Sequence, residues 1–243
     1  MKHDIKVIFF DLGNTLLFDN PASWADVYLR AEQSLWSSLH KFGVNSSTHA
    51  LFGEYNTLLD YYYNLRWGKL EEPGIGMVLK ELLYKHKIHL SDENLNSALR
   101  SMYAVTQTNW YLEDDAIATL QALLESNYRL GIISNGSDDL NTYELLEKVN
   151  LRSYFEFILS SAAFGKRKPH PAIFRAALDH FQIPPDQTVM VGDTYEADIL
   201  GARQLGMNTI WITRRLHSSP ADQLVLGDEV VSRLSEIPAL LST

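Results

Sequence analysis

Five short apolar runs constrain the fold of this chain more than any other feature: KVIFF, RLGIIS, FEFILS, TVMVG and NTIWIT. Unbroken runs of this length, rich in Val, Ile and Phe, are the pattern of strands buried on both faces, as parallel strands are. Between the later runs lie DAIATLQALLESN, DLNTYELLEKVN, PAIFRAALDHF and EADILGARQLG, each of helical length and period. Such strand–helix alternation dictates a layered α/β fold whose crossovers are right-handed. EVVSRL, near the carboxyl end, is either a sixth strand or a tail.

Residues 19–110 interrupt that rhythm. They hold four helix-like segments, SWADVYLRAEQSLWSSLHKFG, HALFGEYNTLLDYYYNLRW, GIGMVLKELLYKHK and DENLNSALRSMYAVTQTNW, and none contains a strand run. A structureless loop of that length does not belong in a compact domain. The expectation is a helical bundle at 19–110, inserted into an α/β core made of 1–18 and 111–243. Ser23 and Ser91 or Asp92 are candidate helix caps, while Gly43, Gly68 and the PGIG at 73–76 punctuate the segments.

Composition excludes several functions. Acidic side chains outnumber basic ones, 30 to 21, for a net charge of −9, which argues against a broad nucleic-acid-binding face. The absence of cysteine removes disulfides, thiol catalysis and zinc–thiolate sites. VIFF is too short for a signal peptide, and no stretch approaches membrane-spanning length. The expectation is a soluble, cytoplasmic protein with neither membrane nor nucleic-acid partner. Its oligomeric state leaves no signature.

Ligands of parallel α/β sheets bind beyond the carboxyl ends of the strands. The first strand ends on Asp11, the second on Ser134 with Asn135 and Gly136, and the fourth on Asp193 after Gly192. Lys168 stands in GKRKPHPAIF, after the third strand. Two carboxylates on neighbouring strands form a hard-oxygen site suited to magnesium. One of them can attack as a nucleophile, while a lysine and a hydroxyl steady a phosphoryl group.

At these residues the chain resembles the haloacid dehalogenase superfamily. DLGNT is similar to its first motif, Ser134 in IISNG to its second, Lys168 to its third, and VGDTYEADILGARQLG to its fourth, all in the family's order. The resemblance implies a Rossmann-like core with a mobile helical cap and phosphate-ester hydrolysis through a phosphoaspartate. It makes Asp11 the nucleophile. Asp11, the Gly13 carbonyl, Asp193 and Asp198 become the Mg2+ site, Asp198 as a ligand or as an acid just behind one. Ser134, Asn135 and Lys168 would hold phosphate, and the substrate would be a small phosphorylated metabolite.

One position departs from the pattern. The family's phosphatases carry a second aspartate two residues after the nucleophile, as proton shuttle; here that residue is Gly13. Three readings follow. The enzyme is a phosphatase for good leaving groups, or one that borrows a donor such as Asp19, a cap residue or the substrate. Alternatively it is a 2-haloacid dehalogenase, since halide leaves without a proton; that branch needs no magnesium and typically lacks the fourth motif's Gly-Asp pair, retained here in VGDTYEAD. The last reading is a ligand- or partner-binding module with little catalysis.

Each candidate also has a plain structural role open to it. Asp11, Ser134 and Asn135 suit strand-end turns or caps, Lys168 a solvated basic turn beside Lys166 and Arg167, and Asp198 the first turn of a helix. His170 is expected on the turn without a catalytic role. The aromatics from Tyr61 to Trp67, with Trp24, Trp36 and Trp110, read as bundle core, and Arg66 and Lys69 as a solvated face. FDNPASW, directly after the first motif, is the expected place for substrate contacts.

Overall fold

The computed structural model describes residues 4–44, 48–215 and 228–242. Its centre is a six-stranded parallel sheet made of β1 (Val7–Phe10), β4 (Arg129–Ser134), β5 (Phe157–Ser160), β6 (Thr188–Gly192), β7 (Asn208–Ile212) and β8 (Glu229–Val231). The strand order is β5-β4-β1-β6-β7-β8, so the EVVSRL segment supplies the edge strand β8. Alternate residues of β1 enter different cores. Ile8 and Phe10 join Leu130, Ile132, Val189 and Val191 on one face, where Leu120 of α5 (Ala116–Glu125) covers them. Val7 and Phe9 join Ile133 and Met190 on the other, under Ile173 and Phe174 of α8 (Pro171–Phe181). All four β1 side chains are fully buried, each worth about 1.5–3 kcal/mol of apolar transfer. That two-sided burial is why the strand reads as an unbroken apolar run.

Four helices follow the first strand: α1 (Trp24–Lys41), α2 (Thr48–Lys69), α3 (Ile75–Lys85) and α4 (Asp92–Thr106). Ser23 caps α1 and Ser91 caps α4, each side chain accepting an amide hydrogen bond from the first turn. The helices share an apolar cluster of their own, containing Leu35, Leu39, Leu79, Leu82 and Leu99. Val27, Ala31, Leu35 and Leu39 repeat every four residues along the buried stripe of α1. Small residues let α1 and α4 approach: Ser34 Oγ donates to the Ser101 carbonyl at 2.8 Å, and Ser101 Oγ to the Ser34 carbonyl at 3.1 Å.

Two strands escape a reading by apolar runs. β2 (Leu17–Asp19) and β3 (Trp110–Leu112) pair antiparallel where the chain enters and leaves the helices, and each is only three residues long. The 18/19 and 110/111 boundaries expected from sequence fall within this ribbon. A second connection is a strap after α2. Arg167 N donates to the Leu70 carbonyl at 2.9 Å and Glu72 N to the Gly165 carbonyl at 3.2 Å, around a bridge between Glu71 and Lys166. Among the described residues, no helix is long and apolar enough to cross a membrane.

Candidate active site

Strand register gathers the motif residues. β1 lies between β4 and β6, with Phe10 opposite Ile132 and Val191, so the residues just beyond these emerge side by side. These are Asp11, Ser134 and Asp193. They line one cavity of about 600 Å3, together with Gly13, Asn135, Lys168 and Asp198. All seven residues singled out from sequence are therefore brought together at one edge.

Lys168 is not on a solvated turn; only 2% of it is exposed. Its Nζ donates to Asp11 Oδ1 at 2.6 Å and lies 2.6 Å from Asp198 Oδ1. Burial pushes the ammonium pKa down, but Asp11 and Asp198 outweigh that and hold it above the usual lysine value, so the group stays charged. Asn135 holds the backbone of this lysine: its Oδ1 accepts from Lys168 N at 2.8 Å, and its Nδ2 donates to the Lys168 carbonyl at 3.0 Å. One amide hydrogen and the amide oxygen are thus engaged with Lys168. His170 Nδ1 accepts from Ala172 N at 3.2 Å and caps the start of α8.

The fourth motif is wound differently from an ordinary helix. Residues Tyr195–Leu200 form a π-helical turn before the short α9 (Gly201–Arg203). Asp198 N donates to the Thr194 carbonyl at 2.8 Å, and Thr194 N returns a bond to Asp198 Oδ2 at 3.0 Å. This folds the carboxylate back against Gly192, where a Cβ would lie 2.3 Å from Asp198 Oδ2. Only glycine permits that approach. Trp211, at the end of β7, donates its indole N–H to the Asp193 carbonyl at 2.8 Å and steadies the same loop. It was hidden in sequence because NTIWIT carries only a strand signal.

Asp11, Asp193 and Asp198 each present an oxygen within 4.8 Å of the others'. Burial first, then the facing carboxylates of Asp11 and Asp198, push Asp193 up to about 7. Burial and Asp11 likewise push Asp198 up to about 6, against the pull of Lys168. Asp198 Oδ1 is buried and lacks an aligned hydrogen bond, although Lys168 stands close by. A compact set of hard oxygens, crowded with negative charge, fits a small divalent cation such as Mg2+.

The glycine of the first motif has an unexpected reason. The left-handed residue of the turn is Asn14, with φ 56°, and not Gly13. What Gly13 accommodates is Trp110 of β3, whose ring atom Cη2 would stand 3.3 Å from an added Cβ. Asp19, a candidate borrowed acid, accepts from Trp24 Nε1 at 2.7 Å and is not among the cavity-lining residues.

Other expectations about the helices need correction. Trp36 is bundle core, but Trp67 is 81% exposed and lines the cavity. Arg66 also faces the cavity and is not solvated; its side chain is 15% exposed and paired to buried Glu72. The helices thus contribute to the cavity through the end of α2, with Arg66 and Trp67, and Leu70 just beyond it, and FDNPASW contributes none of the lining. Sequence alone does not show that α2 runs past its apolar stripe to the sheet edge.

A model of the family described as haloacid dehalogenase-like hydrolase matches residues 5–206. A glyceraldehyde 3-phosphate phosphatase of Pyrococcus furiosus is 30% identical over 85% of this chain and 80% of its own length. The N-acylneuraminate-9-phosphatase of Mus musculus is 27% identical over 98% of this chain and 94% of its own. Among solved structures, a 2-haloacid dehalogenase of Pseudomonas syringae pv. Tomato DC3000 superposes with a TM-score of 0.65 at 28% identity, over 98% of each chain.

Proposed function

The chain belongs to the haloacid dehalogenase-like hydrolase family, and on that premise we propose that it is a magnesium-dependent phosphohydrolase of a small phosphorylated metabolite. The observation that carries the reading is three acidic side chains within 4.8 Å of one another, with Lys168 Nζ 2.6 Å from Asp11 Oδ1.

Asp11 attacks phosphorus with a carboxylate oxygen, the ester P–O bond breaks, and a phosphoaspartate forms. Water then attacks that phosphorus and returns Asp11 with inorganic phosphate. Lys168 orients the nucleophile and offsets charge on the phosphoryl oxygens, while Ser134 donates to one of them. Asp11, Asp193 and the Gly13 carbonyl would hold Mg2+, with Asp198 beside them, and the ion would neutralise phosphoryl charge. The bundle of α1–α4 acts as a cap that excludes bulk water over the site.

Gly13 supplies no proton, so the leaving oxygen takes one from solvent or from the substrate itself. Aryl phosphates should therefore turn over well ahead of alkyl phosphates, since a positioned acid is worth about a hundred- to ten-thousand-fold. The deciding assay is phosphate release from an ester panel, with Mg2+ or with chelator, by the native protein and Asp11→Asn. The expected result is release that needs the metal and disappears in the variant.

The likeness to a 2-haloacid dehalogenase and the missing acid favour a second reading, displacement of halide from a 2-haloacid by Asp11. That chemistry leaves Asp193 without work. Chelator-resistant halide release with no phosphate release would replace the first reading with this one.

A further inference from the structure

Two arginines line the same cavity as Asp11 and Lys168: Arg66, near the end of α2, and Arg167, immediately before Lys168. Both are largely covered, with side chains 15% and 18% exposed. Both lean on one carboxylate. Glu72, 1% exposed, has Oε1 2.5 Å from Arg66 Nε and Oε2 3.2 Å from Arg167 Nη1. The Arg66 Nε contact is off hydrogen-bond alignment.

One carboxylate balances one guanidinium, so the trio keeps a positive charge over. Each guanidinium also lies against a ring, Arg66 over Tyr63 at 4.0 Å and Arg167 over Trp67 at 5.5 Å. Groups held by a shared carboxylate and by aromatic faces lose little freedom when an anion arrives. The esterified phosphate does not require this charge, because Lys168 and the carboxylate cluster already line the cavity. A surplus, preorganised guanidinium pair in the same cavity needs another use.

We infer that the substrate is a phosphomonoester with a second anionic group, a carboxylate or a further phosphate, which Arg66 and Arg167 read across the cavity. Glu72 is the positioning residue that sets the two guanidiniums. This rests on the phosphohydrolase reading and narrows its substrate class. Guanidinium forks match carboxylate and phosphate oxygens alike, so the chemistry named is the shared one.

The test compares three esters that differ only at the far end: 3-phosphoglycerate, glycerol 3-phosphate and glycerol 1,3-bisphosphate, each with Mg2+. The native protein should favour one of the two anionic members over glycerol 3-phosphate by about tenfold or more in kcat/KM, expressed mainly in KM. The favoured member identifies the anion. In Arg66→Met/Arg167→Met/Glu72→Gln, which removes both guanidiniums together with the carboxylate they share, the ratio should fall to within about twofold of unity.

The ratio is taken within each protein, so a general loss of activity does not imitate the effect. Should that variant melt below the assay temperature, Arg66→Lys keeps a cation beside Glu72 and should lower the ratio at least threefold. Equal kcat/KM for all three esters in the native protein, or a preference that survives the substitutions, overturns the inference and leaves the phosphohydrolase reading standing. No phosphate from any ester, p-nitrophenyl phosphate included, overturns both.

Discussion

At Gly13 a tryptophan ring occupies the direction in which an acid side chain would grow. Gly13→Asp should not restore a proton shuttle by itself. The Cβ meets Trp110 at 3.3 Å, and overpacking of that kind costs about 1–3 kcal/mol. The expected outcome is a lower melting temperature and no gain on alkyl phosphates. Gly13→Asp combined with Trp110→Ala should raise alkyl phosphate turnover about a hundredfold relative to Trp110→Ala alone. Lys168 makes a second prediction at this scale. Lys168→Met strands Asp11 and Asp198 without their cation, at a cost of about 3–5 kcal/mol. Denaturant unfolding should show that loss in full at pH 8 and in smaller measure at pH 5, where the stranded Asp198 carboxyl can take up a proton. The meeting of Asp11, Ser134, Lys168 and Asp193 at one cavity was legible because each ends or follows a strand run. The reason for Gly13 was not, since Trp110 is distant in sequence and meets it only through the β2–β3 ribbon.

At the scale of elements, Asp138 joins the helical bundle to the core. It caps α6 (Asp139–Lys148) by accepting from Asn141 N at 3.3 Å, and it also accepts from Gly76 N at 3.0 Å, in the first turn of α3. Asp138→Ala removes both bonds and should cost about 2 kcal/mol in thermal or denaturant unfolding. Burial holds the Asp138 carboxyl above the ordinary aspartate value. The folded state therefore binds this proton more tightly than the unfolded one. The associated stability is present below the ordinary value and is lost as pH rises through the raised one. Asp138→Asn, which keeps an accepting oxygen but cannot ionise, should flatten that part of the melting-temperature profile. The capping serines, Ser23 and Ser91, were readable from sequence. The bond from Asp138 to Gly76 was not, because it crosses from one packed unit to another.

For the molecule as a whole, the carboxylate cluster should make stability depend on metal and pH. Mg2+ at a hundred times its dissociation constant should stabilise the protein by about 2.7 kcal/mol, and Asp193→Asn should abolish most of the effect. Protons compete with the cation. Asp193 is pushed up to about 7 and Asp198 to about 6, so apparent Mg2+ affinity should weaken as pH falls from 8 to 6. Calorimetric titration in buffers of different ionisation enthalpy should then register proton release on binding. Unchanged affinity across this range would show that neither group takes part.

The sequence by itself determined the parallel sheet, the four inserted helices and the convergence of Asp11, Ser134, Lys168, Asp193 and Asp198. Those follow from local periodicity and from the rule that parallel strands deliver their ends to one edge. Tertiary structure alone decided what faces that edge. It set Trp110 against Gly13, buried Lys168 between two acids, opened the fourth-motif helix into a π turn, and brought Arg66 and Arg167 onto one carboxylate. Each of these except the π turn joins residues far apart in the chain, and the π turn answers to the carboxylate it folds against Gly192. Their energies come from packing, desolvation and charge pairing across elements, which no run of neighbouring residues encodes.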